Sequence, residues 1–483
     1  MKNINKIKAE MTAYQKTNNK LLNGMHLNTS YTRTQNGALT FDRTESPLLD
    51  FYAQAGAMRK SPEKALDLFK KAFSEDRLSA IKILFYLRDV RGGQGERTLF
   101  RTCLEWLGTD FPEVFEKIIK FIPEYGRFDD LFFDNDIAIQ LIKNTLENDK
   151  KVDTPTLLAK WLPTINASSA NTKAKAKFMA TKLGMKPISY RKTIRAIRKK
   201  IQTVEEKMSA NKWAEIAYET VPSQANRIYK DAFKKHDEKR YSAFIDKATS
   251  GETKINASTL YPYQIYNSVH NNYSKTLEAL WNALPDYTQE KNALVVADTS
   301  GSMSGDPMSV SVSLALYFAE RNKGAFKDHF ITFSMQPKLQ QIRGATLLEK
   351  MNSIQTGEVA NTDLVKVFEL ILNTAIQNKV PNEEMPETIY LISDMEFDSA
   401  CAYRTTFEVI DVLYKQNGYK RPNIVFWNVN ASGSNLPVRA HETGATLVSG
   451  FSPVVFKMAV ENKTPMQVML DTINAPRYAQ IEI

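Results

Sequence analysis

Asn292-Ala-Leu-Val-Val-Ala-Asp298-Thr-Ser300-Gly-Ser302-Met303 decides the fold. Its apolar run is too short for a buried helix and ends in a Gly-containing turn, so it predicts a strand buried on both faces. Downstream, helical spacing over Met308–Arg321 precedes a strand at Asp328–Ser334, and helical spacing over Leu364–Ile376 precedes a strand at Thr388–Asp394. A helix is expected at Phe407–Lys415, strands at Asn423–Val429 and Ala445–Ser449, and two helices after that. Strands alternating with helices indicate a Rossmann-like, mostly parallel sheet covered on both faces. In such sheets ligands sit beyond the carboxyl ends of the strands, where Asp298, Ser300 and Ser302 fall.

Upstream the period changes. Ala65, Leu68, Phe69, Ala72 and Phe73, then Leu78, Ile81, Leu84 and Phe85, recur every three or four residues, and Ser61-Pro62 marks a helix start. Short Gly- or Pro-bearing breaks at 91–95, 108–112, 123–126, Pro163 and Pro222 separate many such segments. The expected body is an α-solenoid of irregular, HEAT-like repeats with no fixed consensus. The expected organisation is therefore α plus α/β: a polar arm over 1–45, a helical-repeat domain over 46–285 and an α/β domain over 286–483.

The chain has 483 residues, 43% hydrophobic and 24% charged, which is globular composition. No apolar run approaches the roughly 20 residues of a membrane helix. The N-terminal Met-Lys-Asn-Ile-Asn-Lys-Ile-Lys lacks the apolar core of a secretion signal. Two distant cysteines, Cys103 and Cys401, suit a reducing compartment, and a cytoplasmic location is expected. Net charge is +13 over residues 1–290 and −3 over 291–483. The split suggests two modules with different partners, with a polyanion as partner of the basic one; the alternative is a well-solvated helical surface.

A carboxylate and two hydroxyls at alternate positions, Asp298, Ser300 and Ser302, are hard oxygen donors suited to Mg²⁺ or Mn²⁺. Thr362, just ahead of a helix, and Asp394, closing a strand, fall on the same sheet edge. The alternative is that Asp298 only caps a helix and the serines only shape a turn. Asp363 either competes for the metal or serves as an acid at a helix start, and Glu396 and Asp398 read as rim charges. The set Asp298-x-Ser300-x-Ser302, Thr362 and Asp394 resembles the von Willebrand factor type A domain and its metal-ion-dependent adhesion site. The resemblance implies that the serines and Thr362 touch the cation directly or through water. It also implies that the two aspartates supply charge and that one coordination position stays open to an outside carboxylate or phosphate.

Residues 171–200 carry eleven Lys or Arg and no acid. Tyr190, Ile194, Ile197, Ile201, Val204 and Met208 predict one buried helix stripe, with Arg191, Arg195 and Arg198 on a neighbouring face. Lys173, Lys175, Lys177, Arg191, Lys192, Arg195, Arg198 and Lys199 are the candidate RNA-binding residues, as a phosphate-backbone track. Tyr261, Tyr263, Tyr266 and Tyr273 could stack on unpaired bases, but their spacing fits helix packing as well and core packing is the preferred reading. Arg88-Asp-Val-Arg91-Gly-Gly-Gln-Gly95-Glu-Arg97 lacks the Gly-Lys-Ser/Thr ending of a P-loop and lies between helices. It reads as a helix–helix turn whose arginines could add to an anion surface.

Arg91-Gly-Gly-Gln-Gly-Glu-Arg97, Tyr125-Gly-Arg-Phe-Asp-Asp-Leu131 and the segment from Trp213 through Val221-Pro-Ser223 to Ala232-Phe233 resemble a helical-plus-type-A family found in plants, fungi, bacteria and phages. They are similar, more distantly, to the TROVE module of the Ro ribonucleoproteins. That resemblance implies a ring of irregular helical repeats with a type A domain, binding small structured RNAs or RNA ends. The five histidines show no paired metal-ligand spacing and no Gly-x-Ser-x-Gly elbow occurs, so no catalytic residues are expected. The functional expectation is a non-enzymatic, Ro-like RNA-binding protein with a divalent-metal adhesion site for an acidic partner. The alternative is a metal-dependent protein-interaction scaffold that binds no RNA.

Overall fold

The computed structural model describes residues 31–289, 292–333, 336–355, 363–401, 404–431 and 433–483. Two compact units divide the chain. One takes in the described residues up to Leu87, Tyr261–Tyr273 and Pro285–Tyr478; the other holds Arg88–Leu260, Ser274–Leu284 and Ala479–Ile483.

The first unit begins with a hairpin, β1 (Tyr31–Arg33) and β2 (Leu39–Phe41), in which Tyr31 faces Phe41. Its main sheet contains β3 (Ala293–Asp298), β4 (His329–Phe333), β5 (Lys338–Gln341), β6 (Thr388–Ser393), β7 (Asn423–Asn428) and β8 (Ala445–Ser449). The order is β5-β4-β3-β6-β7-β8, parallel except for the edge strand β5. The apolar runs expected to be strands are β3, β4, β6, β7 and β8, and every residue of β3, β6 and β8 is buried. Lys-Leu-Gln-Gln of β5 gave no apolar signal because an edge strand buries little. The central β3 pairs β4 on one side and β6 on the other, which makes the β3–β6 carboxyl ends a topological switch point.

Helix Asp306–Arg321 is buried without interruption from Val310 to Ala319. It packs on β3 and against helix Pro262–Asn271, so Tyr261 and Tyr266 are core residues of the sheet unit. That places 261–273 with the sheet rather than with the 46–285 body. The early helices also belong here: Pro47–Gln54 packs on β8, and Gly56 approaches Ser449 so closely that a Cβ would lie 2.7 Å from its carbonyl oxygen. Residues 31–45 are not a free arm. Thr40, Phe41 and Thr44 are buried, because the hairpin bridges to Asp398, Thr405 and Leu436.

The second unit is helical. It includes Thr98–Asp110, Asp136–Lys151, Ala170–Lys182, Pro187–Ile201, Ser223–His236, Glu238–Ser250 and Lys275–Asn282. The expected single stripe from Tyr190 to Met208 breaks at Gln202, whose φ of 52 ends one helix, and Thr203 caps the next, Val204–Ser209. Tyr190, Ile194 and Ile197 are buried as expected.

The family-like motif at 125–131 is anchored at Asp130 by arginines that flank the 91–97 motif. Its carboxylate accepts Arg88 Nε and Arg101 Nε, both at 2.8 Å, and the backbone N–H of Arg127 at 2.9 Å. Arg88 is thus a buried strut rather than part of an anion surface. Gly126 is required beside it, since a Cβ there would stand 2.5 Å from Asp130 Oδ2.

Candidate metal centre and cationic surface

β3 ends in Asp298, wholly buried, and parallel β6 leads into Asp394, almost wholly buried. The Ser300 backbone N–H donates to Asp298 Oδ1 at 2.9 Å, and the Ser393 hydroxyl donates to Oδ2 at 2.6 Å. Ser300 Oγ and Ser302 Oγ stand 3.1 Å apart. Ser300 is buried and Ser302 exposed, so the oxygens run from the protein interior to the surface.

Burial, reinforced by the charge of Asp394, pushes the Asp298 carboxyl up to about 7; hydrogen bonds from Ser300 and Ser393 oppose it. Asp394 is also raised, chiefly by burial, against a hydrogen bond from the Ser302 hydroxyl. Two carboxylates that are costly to ionise together, flanked by hydroxyls, are the arrangement a divalent cation relieves. Among the described residues no three His, Cys, Asp or Glu side chains converge, and a cation here would have to be held by hydroxyls and two acids. The donor set fits a hard cation such as Mg²⁺ or Mn²⁺. Ser300, Ser302 and Asp394 would hold it, Asp298 would supply charge through the serines, and the cation would offer an electrophilic position to an outside oxygen.

Thr362 lies outside the described residues. Asp363 serves as the N-cap of helix Leu364–Asn378, accepting from the Lys366 N–H at 3.3 Å. Glu396 is no rim charge. It is buried, Oε2 accepts the Gln35 backbone N–H at 2.7 Å, and Oε1 accepts Asn435 Nδ2 at 2.6 Å. Asn36 Nδ2 donates to the Glu396 carbonyl and Thr34 Oγ to the Phe397 carbonyl. The hairpin turn therefore grips the loop that carries Asp394.

Met395, between the two acids, sits at φ 66, a left-handed conformation unfavourable to its side chain, and its N–H donates to Ser393 Oγ at 3.1 Å. Ser393 thus orients both Asp298 and the turn. Sequence reading missed Ser393, Asn435 and the Thr34–Asn36 turn, because nothing in their local pattern marks them and only the fold brings them here.

On the helical unit, Lys173, Lys175 and Lys177 are exposed on helix Ala170–Lys182, and Arg191, Lys192, Arg195 and Lys199 are exposed on Pro187–Ile201. None of these seven has an ion pair with a described residue. Arg198 differs from the expected track. Its guanidinium donates to the Ala159 and Leu162 carbonyls at 2.8 and 2.6 Å and to Thr164 Oγ at 2.8 Å. It closes the end of helix Leu158–Trp161 and is held inside the unit. No described helix is long and apolar enough to cross a membrane.

Residues 292–475 match a family described as Domain of unknown function (DUF7788), and residues 34–121 and 149–299 match Domain of unknown function (DUF2828). An uncharacterized protein of Acanthamoeba polyphaga mimivirus is 27% identical over 498 residues, covering 91% of this chain and 86% of its own. Across both units, then, the chain is similar to proteins whose descriptions state no activity.

Proposed function

We propose that this is a non-enzymatic RNA-binding protein whose helical unit is a HEAT-like, TROVE-like repeat body. In this proposal the sheet unit is a von Willebrand factor type A domain carrying a Mg²⁺ or Mn²⁺ adhesion site. The observation that carries RNA binding is the exposure of Lys173, Lys175, Lys177, Arg191, Lys192, Arg195 and Lys199 with no carboxylate paired to them among the described residues. A surface of that kind attracts phosphates and releases their counterions. The Ro likeness rests on the motifs at 91–97, at 125–131 and from Trp213 through Ser223 to Phe233.

Filter binding of single-stranded RNA tests the reading. Affinity should fall linearly in log salt, with a slope of about −0.7 per phosphate contact. Joint replacement of Arg191, Lys192 and Arg195 by Glu should abolish binding while leaving the internal Arg198 in place. Undiminished affinity in that variant refutes the assignment.

A second reading, a metal-dependent protein-interaction scaffold, is favoured by the convergence of Asp298, Ser300, Ser302 and Asp394. Chelation separates the two, since EDTA should release an acidic protein partner and leave RNA affinity intact.

A further inference from the structure

The helical unit contains a cleft of about 750 Å³, within the roughly 300–1,000 Å³ range of small-ligand sites. Helix Pro187–Ile201 contributes Arg191 and Arg195, helix Val204–Ser209 contributes Glu206 and Glu205, the latter accepting from the Tyr229 hydroxyl, and helix Leu158–Trp161 contributes Lys160 and Trp161. The side chains of Arg191, Arg195 and Glu206 make no hydrogen bond or ion pair with any described residue, and the Glu206 charge is felt by the neighbouring Arg198. Trp161 is half-buried, and the Arg127 guanidinium lies 4.0 Å from its ring centroid. Arg198 holds the cleft's shape through its three internal hydrogen bonds.

These groups make opposite demands on a ligand. Guanidiniums only donate, so the part beside Arg191 and Arg195 must accept and is best anionic. An ionised carboxylate only accepts, so the part beside Glu206 must present N–H donors. An indole in the same cleft favours a flat ring. Inorganic phosphate alone satisfies the arginines and is repelled by Glu206.

A nucleotide meets all three demands, and the carboxylate selects the base. Guanine sets two N–H groups, at N1 and N2, side by side on its Watson–Crick edge. Adenine, cytosine and uracil each place an acceptor next to their donor, which would face a carboxylate oxygen. We infer that this cleft binds a guanine nucleotide, with phosphate at Arg191 and Arg195, base against Trp161 and N1–H and N2–H₂ on Glu206. The ligand's source is either a free guanine nucleotide or an unpaired guanosine in an RNA strand, and the second source rests on the RNA-binding reading above.

Calorimetric titration of the full-length protein with GMP, AMP, CMP and UMP tests it. GMP should bind about tenfold or more tightly than the others, as a lost bidentate contact implies. Glu206→Gln should remove the preference for GMP, and Arg191→Ala with Arg195→Ala should weaken every nucleotide. Circular dichroism of each variant should be unchanged, since all three side chains are at least partly exposed.

A parallel titration compares a uridine oligonucleotide with one carrying a single guanosine. A gain of about tenfold that Glu206→Gln abolishes assigns the RNA strand as source. GMP preference without that gain assigns the free nucleotide. Equal affinities for all four nucleotides overturn the proposal. If the oligonucleotides then still bind with the expected salt slope, the RNA-binding reading survives alone; if they do not, both fall.

Discussion

Asp298 concentrates the chemistry of the sheet unit. Its carboxyl is pushed up to about 7 by burial and the neighbouring Asp394, so without a cation the folded protein keeps a proton that the unfolded chain releases near pH 4. The linked stability is therefore fully present below the unfolded value and is lost as pH rises through about 7. In EDTA, thermal denaturation between pH 5 and 8 should show stability falling with a limiting slope of about 1.4 kcal/mol per pH unit. Saturating Mg²⁺ should flatten that slope, because the cation replaces the proton. By the same linkage, Mg²⁺ affinity measured by calorimetry should weaken below pH 7, and Asp298→Asn should remove both effects. A slope that persists in Asp298→Asn would place the titrating group elsewhere.

Between elements, two junctions make residues distant in sequence act on one another. The turn between β1 and β2 supplies Gln35 to Glu396, next but one to Asp394. Glu396→Ala would leave that N–H and Asn435 without their acceptor. Supporting residues of this kind typically cost about 10–100-fold in metal affinity, and we expect that loss for Mg²⁺ by calorimetry with secondary structure retained. At the second junction, Gly56 N–H donates to Ser449 Oγ at 3.0 Å, and that hydroxyl donates to the Tyr52 carbonyl at 3.1 Å. Gly56→Ala forces a methyl against the β8 backbone, and urea denaturation should show a loss of about 1–3 kcal/mol. An unchanged midpoint would mean that the segment after helix Pro47–Gln54 can shift away from the strand.

At the scale of the whole molecule, charge and chemistry are divided between units. The expected cation donors that are described all belong to the sheet unit, and the eight candidate RNA-binding residues all belong to the helical one. Asp298→Ala should therefore abolish Mg²⁺ binding and leave RNA affinity unchanged within about twofold. The Arg191, Lys192 and Arg195 replacement should do the reverse, with filter binding and calorimetry run on the same preparations. Loss of both activities in either variant would show that the two sites are coupled.

Much of this was legible in sequence, for a physical reason. Apolar runs between Gly-bearing turns become β3, β4, β6, β7 and β8 because burial on both faces requires unbroken apolar residues. Asp298, Ser300 and Ser302 follow directly from the first of those strands. Chain folding alone decided the rest. Arg198 is spaced like its exposed neighbours, yet it meets three acceptors from residues 159–164 and turns inward. Glu396 looks like a surface acid until the hairpin covers it, and residues 31–87 join a sheet that starts two hundred positions later. Periodicity records which side of an element avoids water, whereas partners for buried charge are chosen by contacts between segments far apart in the chain.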